Sequence, residues 1–166
     1  KLAVRKRGGA SADRTVPYGP AWFKTRMESQ LSNLAMELHV MIFVGLGFRK
    51  AVTTKSFENL FRQVFNLTEL PGPIKALATL DTKALNPALQ EFAAAKKVTL
   101  IPVSLENLQR QITPTQSPAA QAAYGLGSIA EAAALAAAGD GSSLTFRRLV
   151  SNDKMATCAF AKGSFK

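Results

Sequence analysis

The sequence predicts a three-layer α/β/α sandwich built on a mixed sheet of about five strands. Three observations predict it. Short apolar runs that suit buried strands alternate with segments of helical period. Helix-capping residues and Pro or Gly breakers stand at the joins between them. The last two apolar runs are separated only by a polar turn, which makes them an antiparallel pair in a sheet that is otherwise parallel.

In chain order, Val40 to Val44 form the first strand, an apolar run suited to cover on both faces. Gly45 and Gly47 are then expected to turn the backbone tightly and bring it near a ligand, with Arg49 and Lys50 at the mouth of the turn. Thr54 is expected to cap a helix whose apolar positions Phe57, Leu60, Phe61, Val64 and Phe65 recur at helical spacing, a core stripe and not an aromatic platform. Pro71, Gly72 and Pro73 end it, and Ile74 to Leu80 read as a second buried strand closed by Thr79, Asp81 and Lys83. Asn86 followed by Pro87 is an N-cap with proline at the first helical position, opening a helix to about Lys96. Val98 to Val103 make the third strand.

Ser104 caps a short helix through Leu108, and a hydroxyl-rich loop, Thr113 to Ser117, could close over a site. Ser117 caps a further helical segment through Tyr124, and Gly125-Leu126-Gly127 resets the backbone. Ser128 stands three residues before Glu131, the spacing of a capping box, and opens an alanine-rich helix, Ile129 to Ala138, able to pack closely on a sheet. Ser143 to Val150 and Thr157 to Ala161 are the final strands.

Composition bounds the function. A chain of 166 residues fits one ordinary domain with a real core, and its longest apolar stretches are far shorter than the roughly 20 residues that cross a bilayer, so no membrane partner is expected. One cysteine and one histidine exclude an internal disulfide and a zinc cluster; they favour a reducing, cytoplasmic setting with no structural metal and no bound cofactor. Of the formal charge of +10, half sits in residues 1–35, where seven Lys/Arg face only Asp13 and Glu28. The rest is a modest excess that attracts anions without implying nucleic acid, which is not expected as a partner.

Residues 1–35 lack periodicity and carry Gly8-Gly9, Pro17, Gly19 and Pro20, so they read as a disordered basic leader or extension, and 36–166 as the working domain. A basic interaction arm and a presequence remnant are other readings of the leader. Met27 and Met36 are plausible starts, and Trp22 and Phe23 could pack on the domain surface.

Ligands of open α/β sheets bind beyond the carboxyl ends of the strands, which points to Arg49 and Lys50 as anion-binding cations; a solvated loop is the plainer reading. A dinucleotide fingerprint would need glycine where Lys50 stands. Asp81 is either a site carboxylate able to act as acid or base or the partner of Lys83. Glu131 is accounted for by its cap. His39 lies at the opposite end of the first strand and reads as structural, and Cys158 reads as a buried small hydrophobe. No complete catalytic constellation is present.

Three segments in register, Gly45-Leu46-Gly47-Phe48-Arg49-Lys50, Thr79-Leu80-Asp81-Thr82-Lys83 and Gly127-Ser128-Ile129-Ala130-Glu131-Ala132, resemble the CobE family and the C-terminal domain of CbiG, over about Val40 to Gly163. The resemblance implies a role in cobalamin biosynthesis, with a corrin-pathway tetrapyrrole intermediate as ligand and other enzymes of the pathway as further partners. Such anion-rich rings suit carboxylate-binding cations and exposed backbone amides. The ligand-binding set it implies is Gly45, Gly47, Arg49, Lys50, Lys83, Ser128 and Glu131. The family's first motif reads Gly-x-Gly-Cys-Arg-Arg/Lys-Gly, whereas Phe48 stands at the cysteine and Ala51 at the last glycine, so a thiol role there is lost. CbiG proteins carry further domains ahead of this one and open a lactone on a cobalt-containing precorrin; no counterpart is expected ahead of Val40. The expectation is an accessory, carrier or weakly catalytic factor of the stand-alone CobE type. The alternatives are a lactone hydrolase with Asp81 as general base and a non-catalytic basic adaptor.

Overall fold

The computed structural model describes Thr25 and residues 27–30 and 40–164. The chain divides into two compact units, Lys1–Leu38 and His39–Lys166. In the first, Thr25 and residues 27–30 are helical. The disorder expected of the leader, the surface packing of Trp22 and Phe23, the start at Met36 and the role of His39 lie outside the described residues.

The second unit is a three-layer α/β/α sandwich. Its strands are β1 (Val40–Phe48), β2 (Ile74–Leu80), β3 (Thr99–Val103), β4 (Ser143–Val150) and β5 (Ala156–Ser164), in the sheet order β3-β2-β1-β5-β4. β1, β2 and β3 run parallel, and β5 runs antiparallel to both β1 and β4. The helices are α1 (Thr54–Leu67), α2 (Pro87–Lys96), α3 (Leu105–Gln109), α4 (Pro118–Tyr124) and α5 (Ile129–Ala138), with a 3₁₀ turn at Asp81–Lys83. No helix among the described residues is long and apolar enough to cross a membrane.

The caps set the helix starts. Thr53, one residue before the expected Thr54, caps α1 in a reciprocal box with Ser56. Asn86 accepts from Ala88 N and Leu89 N ahead of Pro87, and Ser104, Ser117 and Ser128 each accept from a backbone N–H of the helix that follows. Gly125, at φ 68°, ends α4 in the left-handed conformation that glycine adopts without steric cost.

One face of the sheet is covered by large side chains: Phe57, Leu60 and Val64 of α1 and Phe92 of α2 pack on Ile42, Val44 and Leu46. The other face is built small. Gly45 and Gly47 are not turn residues, as the sequence led us to expect; both are strand residues of β1, opposite Ala159 and Thr157 of β5, and the turn follows at Lys50. Their missing side chains lie under α5. A Cβ on Gly45 would overlap the Ala130 carbonyl oxygen, whereas one on Gly47 would meet the Thr157 hydroxyl at 2.8 Å, a side chain that can rotate away. Glycine at position 45 therefore serves helix-on-sheet contact.

The two glycines should differ in tolerance. Gly45→Ala is expected to lower unfolding stability by about 3 kcal/mol or more, because backbone must move, and Gly47→Ala by about 1 kcal/mol. Urea unfolding of the two variants would measure both, and equal losses would contradict the assigned contacts.

Candidate functional site

β1 pairs with β2 only as far as Gly45 against Ala78 while its pairing with β5 continues to Phe48, so the carbonyls on its β2 side beyond Gly45 need other donors. Thr79 Oγ1 donates to Leu46 O at 2.8 Å, Thr157 Oγ1 to Gly47 O at 3.2 Å and Lys83 Nζ to Phe48 O at 2.5 Å. The end of β1 is thereby fixed by side chains from β2, β5 and the 3₁₀ turn. Lys83 also lies over the Phe48 ring, 5.0 Å from its centroid, and desolvation holds its pKa below the ordinary lysine value.

A cavity of about 670 Å³ opens at this end of the strands, between the 3₁₀ turn, α4, the start of α5 and the β4–β5 hairpin. Its apolar lining comes from Phe48, Ala120, Ile129, Val150 and Met155, and its hydroxyl-bearing residues are Ser117, Tyr124, Ser128 and Thr157. Among the described residues four cations line it, Arg49, Lys83, Arg148 and Lys154, and no carboxylate does. Among the described residues the side chains of Arg49, Arg148 and Lys154 have no ion-pair or hydrogen-bond partner; the one ion pair there is Glu106–Arg110, on α3 and its C-cap. The arrangement is an anion site with an apolar floor. A second cavity of about 570 Å³, between α1 and α2, has Glu58 beside Arg62 and Lys96 and so lacks this charge bias.

The residues singled out from sequence divide. Gly47, Arg49, Lys83 and Ser128 line the cavity. Lys50 is exposed on the turn and Gly45 is buried under α5; neither lines it. Asp81 is exposed, accepts from its neighbour Thr82 N at 2.7 Å and makes no ion pair with Lys83. Consecutive positions of a 3₁₀ turn point to different sides, which separates Asp81 from Lys83 although they are two apart. Ser128 Oγ accepts from Glu131 N at 3.3 Å, as the expected cap requires, but the Glu131 carboxylate is bound elsewhere. It is fully buried and accepts from Thr115 N (3.0 Å), Thr115 Oγ1 (2.6 Å) and Arg148 N (3.0 Å).

The sequence matches the family described as cobalamin synthesis G C-terminus over residues 42–161. The chain belongs to that family. Among solved structures it resembles CobE, a protein from the cobalamin (vitamin B12) biosynthetic pathway, at 25% identity and a TM-score of 0.63, over 74% of this chain and 90% of that one. It also resembles the cobalamin biosynthesis protein chiG from Agrobacterium tumefaciens, at 30% identity and a TM-score of 0.57, over 75% and 99% of the two chains. A cobalamin biosynthesis protein G homologue from Sulfolobus solfataricus shares the fold at 20% identity and a TM-score of 0.55, over 76% of this chain and 38% of that one. No curated protein sequence matches it.

In this member of the family, two cavity cations went unnoticed in the sequence, Arg148 and Lys154. Both belong to the β4–β5 hairpin, which is clamped to α1. Ser56 Oγ and Ser151 Oγ donate to the two Asp153 oxygens, and Gln63 exchanges two amide hydrogen bonds with Asn152. The donors hold Asp153 below the ordinary carboxylate range. A carboxyl depressed in the folded state contributes stability that is present above its unfolded pKa and lost as pH falls through the folded one. The thermal midpoint of the wild type should therefore drop more steeply than that of Asp153→Asn as pH is lowered below about 4. Parallel melting curves through that range would contradict the clamp.

Proposed function

We propose that this cobalamin-biosynthesis family member binds a carboxylate-rich tetrapyrrole intermediate of the pathway, as an accessory or carrier factor, through the cation-lined cavity at the end of β1. The observation that carries this reading is the coincidence, among the described residues, of four cations, no lining carboxylate and an apolar floor in one cavity at the carboxyl ends of the strands. Corrin precursors combine a flat apolar ring with many acetate and propionate groups, so a ring edge would lie on Ile129, Met155 and Phe48 while carboxylates reach Arg49, Lys83, Arg148 and Lys154. The likeness to CobE and chiG, proteins of cobalamin biosynthesis, supports a ligand of that class. The working domain in this reading is residues 36–166.

Binding suits the geometry better than lactone hydrolysis. A hydrolase would need a base at the bound ring, and Asp81 stands outside the cavity lining with its carboxylate on Thr82.

A visible absorption titration with hydrogenobyrinic acid, followed by gel filtration, tests the proposal. A saturable shift with co-eluting pigment is expected, weakened at least about tenfold in Arg49→Ala/Arg148→Ala, since each charge-assisted contact is worth roughly 1.5 kcal/mol or more. No shift would move the protein to the adaptor role for another pathway enzyme.

The same titration carries a pH signature. Desolvation favours the uncharged form of Lys83, so its ammonium is lost at a pH where exposed lysines remain charged. Affinity is expected to fall as pH rises through that range, and Lys83→Arg to retain it to higher pH. Identical profiles for the two proteins would exclude Lys83 from the contact set.

A further inference from the structure

We propose that Glu131 is a positioning residue for this site: its buried carboxylate sets Arg148 in the cavity wall and ties it to the loop that leads to Ser117, without touching ligand. The inference rests on the anion-binding reading of the cavity but not on the tetrapyrrole.

Phe146 lies opposite Phe160 and Leu149 opposite Cys158, so two residues of β4, Arg147 and Arg148, face the single Ala159 of β5. An extra residue of this kind bends a strand and re-aims the side chains beside it. Phe146 and Leu149 both pack against the same core although they are three apart, which a regular strand could not achieve. At the bulge Arg148 N–H donates to Glu131 Oε1, and its half-buried side chain lines the cavity. Removing that acceptor would leave a partly buried N–H unpaired and the bulge without its anchor.

The other oxygen serves the loop. Glu131 Oε2 accepts from Thr115 N, and Thr115 Oγ1 donates to Oε1, so one carboxylate ties the loop that leads to Ser117 and the bulge that carries Arg148 to the first turn of α5. No ion pair compensates the buried charge among the described residues. It is held by three donors and by the positive end of the α5 dipole. A glutamine cannot replace it, because its NH₂ would face Thr115 N–H in one orientation and Arg148 N–H in the other. The carboxylate is fully buried and absent from the cavity lining, which separates it from a ligand contact.

The test uses mellitate, a flat benzene polycarboxylate, as an anion probe on the full chain by calorimetry, with amide exchange read by NMR. Arg148→Ala and Glu131→Gln are each expected to weaken mellitate about tenfold, and the double variant no further than Arg148→Ala alone, because Glu131 acts through Arg148. Lys75→Ala, at the far end of β2, should bind as the wild type does. In Glu131→Gln the Arg148 and Thr115 amides should lose protection while the β1–β5 ladder keeps it. Should Glu131→Gln fail to fold, Thr115→Val asks the same question: its loss of affinity, about threefold, should vanish when Arg148 is already alanine. Losses that multiply in the double variants, wild-type affinity in Glu131→Gln, or no mellitate binding by the wild type would each overturn the proposal. Coupled mellitate binding without any response to hydrogenobyrinic acid would uphold it and defeat the tetrapyrrole reading instead.

Discussion

The seating of α5 directly on β1 is the contact on which the rest of the site depends. Where Gly45 passes beneath Ala130 there is no room for a side chain, and the neighbouring positions Gly47, Ala159 and Ala161 are equally small. The close approach brings the first turn of α5 level with the end of β1. Ser128 and Ile129 can then line the same cavity as Phe48 and Arg49. The two faces of the sheet divide the work. Full burial of a phenylalanine or leucine contributes about 1.5–3 kcal/mol, and alanine much less, so the α1–α2 face supplies most of the hydrophobic stabilisation. The α5 face supplies position.

Exposure explains why cations without an ion-pair partner among the described residues are tolerated at one end of the domain. Arg49 and Lys154 are exposed, where water solvates them, and Arg148 is only half-buried. The most desolvated cation, Lys83, has a carbonyl and an aromatic face in place of a carboxylate, and its lowered pKa reflects that incomplete compensation. A carboxylate entering the cavity would meet charges that are not already neutralised. The buried negative charge of Glu131 stands one layer behind them, its oxygens occupied by N–H and O–H donors, so it shapes the cavity wall without cancelling the guanidinium that it helps to place.

The layers, the five strands, the final hairpin and four of the helix caps were legible in the sequence because each rests on local signals: apolar runs, Asn-Pro, and serine at a cap. Glycine was ambiguous. In Gly45-Leu46-Gly47 the same residue type suits a turn and a strand crowded by a helix, and only the later alanine-rich segment, Ile129 to Ala138, hinted at the second. Asp153 meets Ser56 across 97 residues, and Arg148 reaches the cavity through a bulge defined by a partner strand; neither relation has a local signature. The Ser128–Glu131 spacing announced a cap correctly for the serine, while the glutamate's three donors come from segments 16 and 17 residues away. Local pattern places elements, whereas the charged lining of a cavity depends on which elements tertiary packing brings together.

Phe48 shows what this chain does at the position where the CobE-type motif places cysteine. Its ring meets Phe57 edge-on at 5.4 Å, carries Lys83 above it and forms part of the cavity wall, so a reactive group is replaced by apolar surface continuous with the core. Cys158 does not restore the thiol. It is fully buried in β5 on the α1 side, and burial pushes its pKa up to about 12, which keeps it protonated and unreactive at neutral pH. Thiol chemistry is therefore closed to this cavity, and its lining offers cations, the hydroxyl-bearing residues Ser117, Tyr124, Ser128 and Thr157, and an apolar floor. In the proposed binding role, those groups would make the charge and shape of the guest the properties that this site selects.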